Sequence, residues 1–376
     1  MERTIVQLGD FLTLKRGYDL PEHARLPGEI PVVSSSGITG THKEAKVDAP
    51  GVVTGRYGTL GEVFYIEEPF WPLNTALYVQ DFKGNHHRFV SYFLKWVLNG
   101  SQSDKAAVPG VNRNDLHARK VGVPEDVGEQ ASIASVLSAY DDLIENNRRR
   151  IQLLEQAARL LYKEWFVHLR FSGHEHTRII DGVPEGWEKK PAFEVMDVLS
   201  GGTPKTTNPS YWDGDIPFFT PKDTTDFAYS HDTEKTITEA GLKNCNSKLY
   251  PKDTVFITAR GTVGKINLAQ RPMAMNQSCY ALVGHPPLNQ QFLYFALVDG
   301  VEQFRSRAVG AVFDAIVRDT FKLIPFVVPD EKLITAFMEH ISPMLAQIDN
   351  LSRQVQRLRK ASDLLLPKLM NGEVAV

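Results

Sequence analysis

The sequence predicts an α+β chain in pseudo-twofold repeat, two globular parts separated by two long antiparallel coiled-coil helices. Three observations predict it. First, Thr54-Gly-Arg-Tyr-Gly-Thr-Leu-Gly61 returns, one residue shorter, as Thr258-Ala-Arg-Gly-Thr-Val-Gly264. Second, Asn74-Thr-Ala-Leu-Tyr78 follows the first copy as Asn276-Gln-Ser-Cys-Tyr280 follows the second. Third, Val123-Pro124-Glu125-Asp126 and Val328-Pro329-Asp330-Glu331 each open a helical stretch. The period is too long for a solenoid, whose units run about 20 to 50 residues. A reader and a spacer that both occur twice suit a target in two parts.

The elements follow in order. Short apolar runs bounded by turn residues predict strands at Ile30–Val33, Gly51–Val53, Glu62–Ile66 and Ala76–Val79. Phe89–Leu98 has helical periodicity. The second half repeats this with strands at Ile216–Phe219, Thr254–Ile257, Lys265–Leu268 and Cys279–Val283, and a helix at Gln291–Val298. Ile133, Leu137, Tyr140, Ile144, Asn147, Ile151, Leu154, Ala158, Leu161 and Trp165 alternate steps of four and three. So do Phe337, Ile341, Met344, Ile348, Leu351, Val355, Leu358, Ser362, Leu365 and Leu369. These are heptad seams, and each is the natural partner of the other. At about 1.5 Å per residue, each is about 50 Å long. Pro343 is expected to kink or interrupt the second helix, and Pro367 to end or bend it. The resulting domains are 1–125, a helix at 126–171, a linker at 172–186, a second domain at 187–328, and a second helix with its tail at 329–376.

Composition narrows the function. The chain has 376 residues, enough for two cores, with 42% hydrophobic and 23% charged residues. Two cysteines, Cys245 and Cys279, argue against a disulfide framework and for a reducing cytoplasm. No apolar run approaches the roughly 20 residues of a membrane span. A net charge of −3 counts against a general polyanion binder but leaves local basic faces open.

The loop from Gly201-Gly-Thr-Pro204 to Gly214-Asp-Ile-Pro217 is the richest local signal. Its hydroxyls, Lys205 and aromatic residues suit phosphate and base-edge contact. The alternative is a turn-rich loop with Tyr211 and Trp212 packed inward. Arg56 and Arg260 each sit in a glycine-bounded turn, where an Arg fork meets guanine or phosphate, or is merely solvated. Asn208-Pro-Ser-Tyr211 approaches an amino-methyltransferase box but lacks its second proline and any methyl-donor loop. The spacing of His86-His87, His174-Glu-His176 and the cysteines fits no zinc site. No nucleophile elbow or phosphate-binding glycine loop is present. Arg148-Arg-Arg150 reads as a helix face beside the seam, solvated or basic patch.

These residues together resemble the specificity subunit of type I restriction–modification systems. The resemblance runs over the whole chain. It is carried by the Gly201–Pro217 loop, the Gly-Thr-Leu-Gly61 and Gly-Thr-Val-Gly264 turns, Pro124 through Gln130, and Leu364-Leu-Leu-Pro-Lys-Leu-Met-Asn-Gly-Glu373. In the first half, Lys15-Arg-Gly-Tyr-Asp-Leu-Pro21 replaces the Gly-Gly-Thr-Pro loop, a looser match. The resemblance implies two target-recognition domains, each reading half of a bipartite double-stranded DNA site. It implies a non-catalytic subunit without cofactor. Methylation, with S-adenosylmethionine, would belong to partner methyltransferase subunits, usually two. Cleavage and translocation would belong to restriction subunits. The apolar Leu364–Met370 tail is larger than one seam needs, so together with the coil ends it is expected to dock the methyltransferase, the alternative being ordinary capping of the partner helix. The expected DNA contacts are Lys15, Arg16, Tyr18, Arg56, Tyr57 and Thr59 in the first domain, and Lys205, Thr206, Tyr211, Lys222, Arg260 and Thr262 in the second. A complete methyltransferase with built-in recognition, and a coiled-coil scaffold that reads nothing, are the rival readings.

Overall fold

A computed structural model describes residues 3–56, 61–99, 112–307 and 316–376. It divides into two compact units, Met1–Ile144 with Gln356–Val376, and Glu145–Val355. Each unit thus holds one globular part and one stretch of each long helix.

The first unit contains β1 (Thr4–Gln7), α1 (Leu8–Phe11), β2 (Thr13–Arg16), β3 (Ile30–Ser34), β4 (Gly37–His42), β5 (Gly51–Gly55), β6 (Val63–Ile66), β7 (Trp71–Pro72) and β8 (Ala76–Asp81). Then come α2 (His87–Asn99), α3 (Arg113–His117), β9 (Lys120–Val123) and α4 (Val127–Tyr162), whose residues to Ile144 belong here. The main sheet is antiparallel, in the order β2-β8-β5-β6. A smaller sheet, β4-β3-β7, includes a parallel pair, and β1 pairs with β9.

The second unit repeats the plan. Its elements are β10 (Ile179–Ile180), β11 (Val183–Pro184), β12 (Glu188–Pro191), α5 (Ala192–Val195), β13 (Met196–Ser200), β14 (Trp212–Phe219), β15 (Tyr229–Ser230), β16 (Thr236–Ile237) and α6 (Glu239–Lys243). They continue with β17 (Val255–Thr258), β18 (Ile266–Ala269), β19 (Ala274–Met275), β20 (Cys279–Gly284), α7 (Gln290–Arg307), α8 (Thr320–Leu323), β21 (Pro325–Val328) and α9 (Glu331–Met370). The sheet β13-β20-β17-β18-β15 matches β2-β8-β5-β6 with one edge strand added. The sheet β16-β14-β19 matches β4-β3-β7, down to its parallel pair.

Both long helices start on an aspartate. Gly128 and Glu129 donate their N–H groups to the Asp126 carboxylate at 3.0 and 3.2 Å. Lys332 donates to Asp330 at 2.8 Å. Such caps are worth about 1 kcal/mol each. All seam residues are buried or half-buried. In the first unit Ile133 and Leu137 of α4 share a core with Leu366 and Leu369 of α9, and with Phe89 and Phe93 of α2. In the second, Ile151 and Ala158 share one with Phe337, Ile341 and Ile348, and with Phe292 and Phe295 of α7. The start of one helix meets the end of the other in each unit, so they run antiparallel. Burying each such side chain contributes about 1.5–3 kcal/mol. Asn147 is buried in the seam and donates to Gln354 at 3.3 Å.

Neither proline interrupts or ends the second helix. The helix runs unbroken from Glu331 to Met370. Pro343 is exposed and Pro367 half-buried, so each removes one backbone bond while the seam still packs. The end comes instead from Gly372 at φ +74, with Glu373 N–H to Lys368 O at 2.9 Å and Gly372 N–H to Leu369 O at 3.2 Å. That left-handed cap satisfies the last carbonyls. At the other seam, α4 passes into a π-type turn at Lys163–Val167. The extra residue in the turn buries Phe166 and leaves Trp165 half-buried against Phe337, with ring centroids 5.9 Å apart.

Candidate nucleic-acid interface

In each unit, the loops bearing the expected contacts leave one edge of the main sheet. In the second, Ser200 at the end of β13 pairs with Tyr280 near the start of β20, and Thr258 at the end of β17 pairs with Cys279. The loops after β13 and β17 and before β20 therefore share an edge. In the first, Arg16 of β2 pairs with Leu77 and Gly55 of β5 with Ala76, giving the same edge.

Glycine makes the stems possible. A methyl on Gly201 would lie 2.2 Å from the Asn276 carbonyl oxygen and 2.5 Å from that of Met275. On Gly17 it would meet the Leu73 and Pro72 carbonyl oxygens at the same 2.2 and 2.5 Å. The two loops are thus built on one stem, although their tips differ.

Beyond the second stem, Lys205 and Thr206 are exposed, and Tyr211 is half-buried. Trp212 donates its indole N–H to the Lys205 carbonyl at 3.3 Å, and its ring meets Phe218 edge-on at 5.5 Å. Trp212 therefore packs its ring against Phe218, and it and Tyr211 are both half-buried. Asn208 folds the tip by accepting the Ser210 N–H at 3.2 Å. Arg260 and Thr262 are exposed in a turn whose Gly261 and Gly264 have φ +78 and +76, a conformation that favours glycine. Thr262 Oγ1 donates to the Pro221 carbonyl at 3.4 Å, bringing this turn beside exposed Lys222. Lys222 faces Glu234 at 3.5 Å, a solvated pair of little energetic weight. Arg260, Thr262 and Lys222 thus come together, and Lys205, Thr206 and Tyr211 form a second tip on the same edge.

In the first unit Lys15 and Tyr18 are half-buried and Arg16 is exposed, with its Nε donating to Asn74 O at 3.2 Å. Arg56 is half-buried at the end of β5, its backbone N–H bonded to Thr75 O at 3.1 Å. Tyr57 and Thr59 lie outside the described residues. Sequence reasoning missed Lys46, Trp71 and Tyr78, which gather round Tyr18. Tyr78 was visible as a repeat marker, but only the folded sheet puts it beside Tyr18.

The docking tail also needs correction. Leu366, Leu369 and Met370 are buried in the core of the first unit, because α9 lays that face on α2 and β9 residues. Leu364, in contrast, is 71% exposed. On α4, Leu143, Leu153 and Leu160 are also exposed. Among the described residues no helix is long and apolar enough to cross a membrane.

Each unit is thus a copy of one α+β module, with loops on one sheet edge and a share of two long helices. A family model described as the type I restriction modification DNA specificity domain matches residues 2–156 and again 184–356, and the chain belongs to that family. It is 28% identical over 207 residues to the type I restriction enzyme MjaIX specificity subunit of Methanocaldococcus jannaschii, a match covering 54% of this chain and 46% of that protein. The chain thus spans about half the length of that relative. It is 22% identical over 336 residues to the HindI specificity subunit of Haemophilus influenzae, covering 73% of each. The crystal structure of the type I restriction–modification S subunit from M. genitalium has a similar fold, with TM-score 0.60 and 16% identity over 97% of this chain and 95% of that one.

Proposed function

We propose that this chain is the non-catalytic DNA-specificity subunit of a type I restriction–modification enzyme, each globular part reading one half of a bipartite double-stranded site. The observation that carries this reading is the repeated sheet edge, with glycine-stemmed, polar and basic loops in both units. Such loops supply what base edges and phosphates require. The two helices act as the spacer. The 36 residues of α4 measure about 54 Å at 1.5 Å per residue, enough to hold readers one turn of DNA apart, about 34 Å.

The partners are methyltransferase subunits, two in number, and restriction subunits that cleave and translocate. S-adenosylmethionine belongs to the methyltransferase, since the sequence here lacks a methyl-donor loop. The complex works in the cytoplasm, where its DNA lies. Exposed Leu143, Leu153, Leu160 and Leu364 support docking of the methyltransferase along the helices. Mapping methylated bases in a host genome with and without this gene tests the reading. A bipartite motif that disappears with the gene is expected. An unchanged methylome would overturn it in favour of a scaffold, and binding of S-adenosylmethionine by the purified chain would favour a complete methyltransferase.

A further inference from the structure

Behind the Gly17 turn of the first unit, a group of cationic and aromatic side chains lacks a counterpart in the second. The Lys15 ammonium stands 5.7 Å from the centroid of the Tyr18 ring, and the Lys46 ammonium 4.8 Å from that of Trp71. The two rings are 6.3 Å apart and steeply inclined. Tyr18 and Tyr78 join their hydroxyls at 3.0 Å. Among the described residues neither lysine has a carboxylate within salt-bridge reach. Trp71 is buried, and its indole N–H has no acceptor.

Tyr18 is held below the usual tyrosine range by its bond with Tyr78, by the charge of Lys15 and a hydrogen bond from it, and by the charge of Lys46. Tyr78 is pushed up by burial and by the same bond. Both lysines act electrostatically on the Tyr18 hydroxyl, and two ammoniums without a carboxylate partner have an oxyanion as their chemical complement.

The second unit cannot build this group. Its β14–β19 pair sets Phe218 against Ala274 as β3–β7 sets Val32 against Trp71. Its Gly201 stem matches that of Gly17, so Gly202 stands where Tyr18 does. Both ring positions are thus vacated by small residues.

We propose that Lys15, Tyr18 and Lys46, backed by Tyr78 and Trp71, form an oxyanion site that grips one phosphodiester of the DNA backbone. This rests on the DNA-reading function above. It gives the first unit a sequence-independent grip that the second does without.

The test uses the full chain assembled with its methyltransferase subunits. Lys46→Ala and Tyr18→Phe are titrated over a range of salt against the cognate duplex and duplexes altered in either half-site. Both side chains reach solvent and Phe keeps the ring, so folding is retained; thermal unfolding verifies this, and Lys46→Arg should restore binding. Affinity is expected to fall equally on every duplex, and Lys46→Ala should reduce the salt slope by about one unit. One methylphosphonate at the gripped position should reproduce the loss and add nothing to Lys46→Ala. Unchanged affinity and slope would overturn the proposal, as would a loss confined to one half-site sequence. Inorganic phosphate bound by wild type and lost in the variants, with DNA affinity intact, would overturn it in favour of a free-phosphate site. A wild-type complex that fails to discriminate among the duplexes would instead defeat the recognition reading, and the proposal with it.

Discussion

The Glu155 carboxylate on α4 accepts the backbone N–H of Ala228, tying the helix to the segment that leads into β15. Burial raises this carboxyl from the ordinary 4.5 to about 7, against the opposing pull of the Ala228 bond. A raised acid binds its proton more tightly folded than unfolded. Its contribution is therefore full below about pH 4.5 and is lost as pH rises through about 7. Glu155→Gln keeps an acceptor without the charge. It should leave the second unit unchanged in stability near pH 4.5 and raise it by about 3–4 kcal/mol at pH 8, at about 1.4 kcal/mol per pKa unit. Denaturant midpoints at the two pH values measure this, and equal midpoints at pH 8 would contradict it.

The two loop stems should be intolerant of a single methyl. Gly17→Ala and Gly201→Ala each force a carbon against carbonyl oxygen at 2.2 Å. Each should destabilise its own unit by about 1–3 kcal/mol, the usual cost of overpacking. Thermal unfolding followed by hydrogen exchange in each unit locates the loss. Gly84→Ala, with open space around it but φ +81, separates backbone strain from collision.

Arg260→Ala and Arg56→Ala should act on different half-sites. If Arg260 forks onto a guanine, its loss costs about 1–3 kcal/mol and relaxes one position. If it meets phosphate, all duplexes weaken together and the salt slope falls by about one unit. Binding to a panel of site variants at fixed salt distinguishes the two. Wild-type affinity and half-site preference in both variants would make these turns structural only.

Assembly should depend on exposed apolar residues rather than on the buried tail. Leu364→Lys and Leu160→Lys change exposed positions, whereas Leu366→Lys and Met370→Lys would break the first unit's core. The first pair should lower methyltransferase co-purification several-fold with unfolding temperature unchanged. Normal co-purification would exclude these two residues from the interface.

The spacer is tested by removing one heptad from each helix, keeping both seams in register. The gap between half-sites should shorten, or recognition should disappear. An unchanged gap in the mapped methylation motif would refute a ruler role for the helices.

Much of this was legible in the sequence, for reasons tied to particular residues. Ile30–Val33, Ala76–Val79 and the two seams carry their periodicity locally, so β3, β8, α4 and α9 stand where the pattern puts them. The parallel pairing of β7 with β3 was not legible, because a two-residue strand, Trp71–Pro72, has no period. The heptads named one face of α9 but not the second, on which Met338, Leu345 and Ser352 are also buried. The turns bearing Arg56 and Arg260 could be placed by their repetition. Lys46 and Trp71 could not, since only the tertiary fold joins them to Tyr18.

Gly17 and Gly201 hold matching stems beneath tips of different sequence. A mutation in a tip residue such as Lys205, Thr206 or Arg260 therefore meets solvent, not a core, and costs the chain little in viability. One at a stem glycine instead drives a carbon to 2.2 Å from a carbonyl oxygen. The tips can therefore change sequence one residue at a time while the sheets beneath them keep their packing.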